Sequence, residues 1–74
     1  MFEKVRDMIS QQLDVDAEFI TMDTDIAEDL GADSLDLVEL LMLAEEKYYI
    51  TFDENEIKNF RTVGDVVRYI EDNM

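Results

Sequence analysis

The chain has 74 residues with 47% hydrophobic side chains, no cysteine, no histidine, no proline, and six basic against twenty acidic residues, for a formal charge of −14. That length suits one small domain, residues 1–74, and the apolar fraction argues against disorder. The charge excludes nucleic acid as a partner and disfavours an anionic membrane, since both need a basic patch. Absent cysteine removes disulfides, thiolate metal sites and thiol catalysis.

Between Arg6 and Lys47 there is no Lys or Arg, and that interval holds thirteen Asp and Glu. Such a block repels itself, so salt or divalent cations are expected to stabilise the fold by screening, and basic protein surfaces are its natural partners. Phe2, Val5, Ile9 and Leu13 recur at steps of three and four, with Met8 beside them, which predicts a first amphipathic helix over residues 2 to 13. This N-terminal stretch carries charges throughout and lacks the apolar region of a secretory signal. No run reaches the roughly eighteen apolar residues of a spanning helix. A soluble cytoplasmic protein is expected, or an organellar one whose transit peptide has been removed.

From Asp14 to Asp33 the periodicity is lost. This segment reads as a long ordered loop pinned by Phe19, Ile20, Met22, Ile26 and Leu30, with a turn of helix near Thr24 to Glu28. Asp33 then stands as a helix N-cap with Asp36 at the third helical position, a capping-box pattern. Gly31 lets the chain bend into that helix. The second helix runs from Ser34 to about Tyr48 and gives way to the β-rich Tyr49-Ile50-Thr51-Phe52. Asp53 with Glu56 marks a short third helix through Ile57 and Phe60. Thr62 with Asp65 opens a last helix whose Val63, Val66, Val67 and Ile70 follow the i, i+3, i+4, i+7 pattern. The expected fold is all-α: a small four-helix bundle with a long loop between helices 1 and 2 and a short third helix.

The second helix carries two apolar stripes. At ~100° per residue, Leu37, Leu40, Leu41, Ala44 and Tyr48 share one arc that suits the core. Leu35, Val38 and Met42 fall on another, interleaved with Glu39, Glu45 and Glu46. One stripe suffices for the core, so the second is expected to be exposed, rimmed by carboxylates, and suited to docking on apolar sockets rimmed by Arg or Lys. The alternative is burial of the helix on two sides.

Ser34 stands at the head of that surface. A serine nucleophile needs a base, normally His or Lys, and here His is absent while Lys occurs only at positions 4, 47 and 58. Hydrolase chemistry is therefore excluded in practice. A first-turn serine is well placed to carry a phosphate, because free backbone N–H groups and the positive dipole end favour an anion. Asp33 and Asp36 oppose that charge, so Mg²⁺ or a basic modifying enzyme is needed. On position alone, a merely tolerated first-turn serine is the simpler account.

Gly31-Ala32-Asp33-Ser34-Leu35-Asp36 followed by Val38-Glu39-Leu40 resembles the signature of acyl carrier proteins, and the resemblance extends over essentially the whole chain. Asp25-Ile26, Asp29-Leu30, Glu45-Glu46-Lys47-Tyr48 and Thr62-Val63-Gly64-Asp65-Val66 resemble other parts of the family pattern. The resemblance implies that Ser34 bears 4′-phosphopantetheine, added from coenzyme A by a holo-synthase, and that acyl groups ride as thioesters on the arm's sulfur. It implies a non-catalytic carrier, a monomer, serving enzymes of fatty acid biosynthesis, with no specific metal site. By the same carry-over, Asp33, Leu35, Asp36, Val38, Glu39, Met42, Glu45 and Glu46 form the docking surface. Ile26, Leu30, Leu37, Leu40, Leu41, Ala44, Phe52, Ile57, Phe60 and Val66 line the acyl shelter, where they also serve as core. Asp53 stands where the family usually has Pro, Tyr49 where small residues are common, and Ile57 and Phe60 are bulkier than typical. These departures bear on the shape of the shelter and not on the attachment chemistry.

Two other readings compete. A carrier could serve a different cargo: polyketide, lipid A-type or aminoacyl groups. An acidic cation-binding protein is suggested by Asp14-x-Asp16-x-Glu18 and Asp23-x-Asp25, yet an EF-hand loop needs Gly at its sixth place and Glu at its twelfth. Counted from Asp14 these places hold Phe19 and Asp25, and from Asp23 they hold Glu28 and Ser34.

Overall fold

In the computed structural model, which describes residues 1–73, helices α1 (Phe2–Leu13), α2 (Ser34–Tyr48), α3 (Glu54–Ile57) and α4 (Val63–Asp72) follow one another, with a single 3₁₀ turn at Ala17–Phe19. Among the described residues no helix is long and apolar enough to cross a membrane. α1 packs against α4 and α2. Their shared core comprises Val5 and Ile9 of α1, Leu40, Leu41 and Ala44 of α2, and Val63, Val66, Val67 and Ile70 of α4, all buried. Each such Val, Leu or Ile side chain contributes about 1.5–3 kcal/mol when fully buried.

Helix limits follow local chemistry. Asp33 caps α2 by accepting the Asp36 amide at 2.9 Å, and Asp36 returns the bond by accepting the Asp33 amide at 3.3 Å. Thr62 and Asp65 cap α4 in the same reciprocal way. Bonds from the Thr62 and Arg61 amides hold the Asp65 carboxyl below the usual carboxylate range. At Asp53 the expected reciprocal box is replaced by a single bond from the Asn55 amide, 2.8 Å, and α3 ends at Ile57. Phe60 lies beyond it, so the third helix is shorter than the sequence pattern predicts. A three-residue step from Ile57 to Phe60 fits one apolar face equally well when the last turn is not helical. α1 and α2 both stop on residues in the left-handed region, Asp14 at φ 55° and Tyr49 at φ 56°.

The long loop departs most from expectation. Its helical turn lies at Ala17–Phe19, while 25–30 form hydrogen-bonded turns in which Asp25 accepts the Ala27 and Glu28 amides. Ile20 and Ile26 are buried and Met22 and Leu30 half-buried, as anchors should be, but Phe19 is 72% exposed and anchors nothing. The loop is instead fastened by backbone. Asp25 and Thr62 form an isolated antiparallel bridge, with Ile26 N–H donating to Arg61 C=O at 2.9 Å and Val63 N–H to Thr24 C=O at 3.0 Å. Beside it Gly64 N–H donates to Met22 C=O at 2.8 Å, and a Cβ at Gly64 would meet that same oxygen at 2.8 Å. Only glycine permits this approach. Arg61 completes the seam with an ion pair to Asp25 at 3.0 Å.

Candidate functional site

Gly31 at φ +69° turns the loop into α2, and Ala32, buried, seats the turn against the core. Asp33 is then the cap and Ser34 the first helical residue, with its side chain exposed and its hydroxyl without a hydrogen-bond partner among the described residues. Because Asp33 already satisfies the Asp36 amide, the N–H groups of Ser34 and Leu35 are the donors that α2 offers to an anion attached at its first residue. A free, outward hydroxyl with unpaired amides beside it fits a phosphodiester-linked group. The carboxylates of Asp33 and Asp36 stand on either side, each engaged by the other residue's amide.

The two stripes of α2 separate as their angles require. Leu40, Leu41 and Ala44 are buried and Leu37 and Tyr48 half-buried, whereas Leu35, Val38 and Met42 are 65%, 38% and 56% exposed. Burial of α2 on two sides is thereby ruled out. Asp33, Glu39 and Glu46 are exposed along the same face, and Asp36 and Glu45 are partly so. Glu45 has a second task, since its carboxylate accepts the Phe52 amide at 3.2 Å and fixes the chain after α2. Leu43, 41% exposed, joins this surface although it lies between the two arcs and belongs to neither. It borders a hollow of about 260 Å³ between α1 and α2, spanned by a bond from Gln12 Nε2 to Glu39 Oε2 at 3.3 Å.

Of the residues expected around an acyl shelter, Ile26, Leu37 and Phe60 line one cleft of about 340 Å³, together with Ala32. Ala32 and Leu37 bracket Ser34 in sequence, which puts the cleft near the start of α2. Leu40, Leu41, Ala44, Phe52 and Val66 are buried core, and Leu30 and Ile57 are half-buried at its margin; none of these seven borders the cleft. Its rim carries Asp25, Glu28, Lys58 and Arg61. Amide bonds from Glu28 first, and then the Arg61 guanidinium, hold the Asp25 carboxyl below its ordinary range. Charges at the rim had no signal in the sequence, because Arg61 meets Asp25 only through the bridge between loop and α4.

A family model described as a phosphopantetheine attachment site matches residues 3–70. The chain is 48% identical over 73 residues to the acyl carrier protein of Helicobacter acinonychis, covering 99% of this chain and 94% of that protein. It is likewise 48% identical to the acyl carrier protein of Aster yellows witches'-broom phytoplasma, covering 99% and 96%. The solved structure of the Enterococcus faecalis acyl carrier protein superposes with a TM-score of 0.84 at 30% identity, covering 99% of this chain and 92% of that one. This chain belongs to the acyl carrier protein family. It is a carrier of acyl groups with 4′-phosphopantetheine as its prosthetic group, and it works by presenting those groups to enzymes.

Proposed function

We propose that Ser34 is the attachment residue and that the protein is a monomeric cytoplasmic carrier of acyl chains in fatty acid biosynthesis. The observation that carries this reading is the exposed Ser34 hydroxyl at the start of α2, without a hydrogen-bond partner among the described residues and heading an exposed apolar stripe rimmed by carboxylates. Loading by a holo-synthase joins Ser34 Oγ to the phosphorus of the pantetheine phosphate in coenzyme A. The bond from that phosphorus to the adenosine bisphosphate breaks, and the hydroxyl proton passes to a base of the synthase, because this chain has no histidine and the Asp33 and Asp36 carboxylates are engaged in the helix cap. Asp33 and Asp36 oppose the incoming negative charge, so Mg²⁺ and a basic synthase surface support the step. The arm supplies a terminal thiol, which accounts for a carrier without cysteine. Asp33, Leu35, Asp36, Val38, Glu39, Met42, Glu45 and Glu46 meet the synthase and the fatty acid enzymes, with Leu43 at their edge.

Incubation with coenzyme A, Mg²⁺ and a holo-synthase is expected to add one phosphopantetheine mass to the wild type and none to Ser34→Ala. An adduct on the Ser34→Ala protein would refute the assignment. Mass spectrometry of protein taken from cells tests the pathway: straight saturated and 3-hydroxyacyl thioesters of graded length support fatty acid synthesis, whereas polyketide or aminoacyl cargo would replace it.

A further inference from the structure

Phe60 borders two hollows at once. On one side lies the cleft beside the attachment region, about 340 Å³, whose other apolar walls are Ile26, Ala27, Ala32 and Leu37 and whose rim is charged. On the other lies a hollow of about 240 Å³ whose walls carry Glu56, Asn59, Asp65, Arg68 and Asp72. Phe60 therefore stands between a cleft with apolar walls and a charged rim and a second hollow lined mainly by charged side chains.

Its neighbours hold the ring in place. Phe60 stands edge-on to Phe52, 5.7 Å between centroids at 88°, and to Tyr69, 5.4 Å at 75°. Phe52 and Tyr69 stack on each other at 4.8 Å and 22°. Edge-to-face and offset-stacked pairs are the favoured aromatic geometries, so displacing one ring costs contacts to both others. The Tyr69 hydroxyl donates to the Thr51 carbonyl at 2.9 Å, and the Phe52 amide donates to Glu45 at 3.2 Å, tying the cluster to the segment after α2. Past the ring a hydrocarbon chain would meet carboxylates whose desolvation is unfavourable. The cleft itself sits at the small end of the range for ligand cavities.

We infer that Phe60, backed by Phe52 and Tyr69, is the end wall of the acyl cleft and sets the longest chain this carrier shelters, favouring short acyl groups. The inference rests on the reading of Ser34 and the adjoining cleft given above. Its test uses the full chain and the variants Phe60→Ala and Phe60→Leu, each loaded by a holo-synthase from butanoyl-, hexanoyl-, octanoyl- or dodecanoyl-coenzyme A. Intact mass is measured first, so failure of the attachment reading shows as absence of loading, before chain length is considered. The thermal midpoint of each loaded protein is then compared with its unacylated holo form. In the wild type the midpoint is expected to rise with chain length and level off by octanoyl. In Phe60→Ala the rise is expected to continue to dodecanoyl, and Phe60→Leu, which keeps an apolar core residue, levels off between the two. If Phe60→Ala does not fold, Phe60→Leu carries the comparison. A wild-type midpoint that keeps rising to dodecanoyl, or one levelling length shared by wild type and variants, overturns the inference.

Discussion

Gly64 is where the long loop comes nearest to α4, and its lack of a side chain is a packing requirement. The Met22 carbonyl that a Cβ would strike is the acceptor of the Gly64 amide, so it cannot retreat without losing that bond. Gly31 differs: an added Cβ meets nothing within 4 Å, and what it needs is φ +69°. Gly64→Ala is therefore expected to destabilise by about 1–3 kcal/mol as an overpacked contact, measured by urea or thermal unfolding. A midpoint unchanged within error would show that the loop shifts freely. The sequence marks Gly31 as a bend, because bend and helix cap are neighbours in the chain. It does not mark Gly64, whose partner carbonyl is distant in sequence and is brought near only by the bridge between Asp25 and Thr62. Phe19 fails in the same way: as a large aromatic it reads as an anchor, yet the loop is held by backbone bonds and leaves it in solvent.

At the scale of the element, α2 is the part most fully written in the local sequence. Its cap, its limits and both stripes follow from side chains within one or two turns of each other, and Ser34, Asp33 and the stripe of Leu35, Val38 and Met42 lie where the pattern places them. α3 is less legible, since Ile57 and Phe60 keep helical spacing whether or not the last turn closes. Leu43 escapes a two-stripe division, which leaves no place for an intermediate angle. The cleft was legible only in part: core and shelter use the same residue types, and the fold alone decides that Ile26, Leu37 and Phe60 face open space. Glu39→Lys reverses charge on the exposed face of α2 and gives up only an exposed bond to Gln12. Transfer to partner enzymes is expected to fall by about tenfold, equivalent to about 1.4 kcal/mol, with far-UV circular dichroism unchanged. Unaltered transfer kinetics together with lost helicity would make Glu39 structural instead.

For the molecule as a whole, a formal charge of −14 is confined to a body 26 × 21 × 19 Å across. Three ion pairs relieve it among the described residues, at Arg6–Asp7, Arg61–Asp25 and Arg68–Asp65, with Arg61 and Arg68 exposed and Arg6 partly so. Such pairs contribute little singly, so net repulsion dominates and the fold is under electrostatic load. Raising NaCl from ~0.01 to ~0.15 M shortens the screening length from about 30 to about 8 Å. The thermal midpoint is expected to rise by several degrees over that interval; a flat or falling midpoint would show that the charges are already balanced locally. On the reading proposed above, the same field favours basic enzyme surfaces, which would link the stability of the carrier to its recognition.

If the Ser34 hydroxyl tethers the acyl-bearing arm, site-resolved fragmentation of the loaded protein reads the tether out residue by residue. Fragment ions are expected to place the whole added mass on Ser34, with the serine at position 10 and every threonine unmodified. Phosphopantetheine found on any other residue, or a Ser34 peptide left at its unmodified mass in fully loaded protein, would contradict the account.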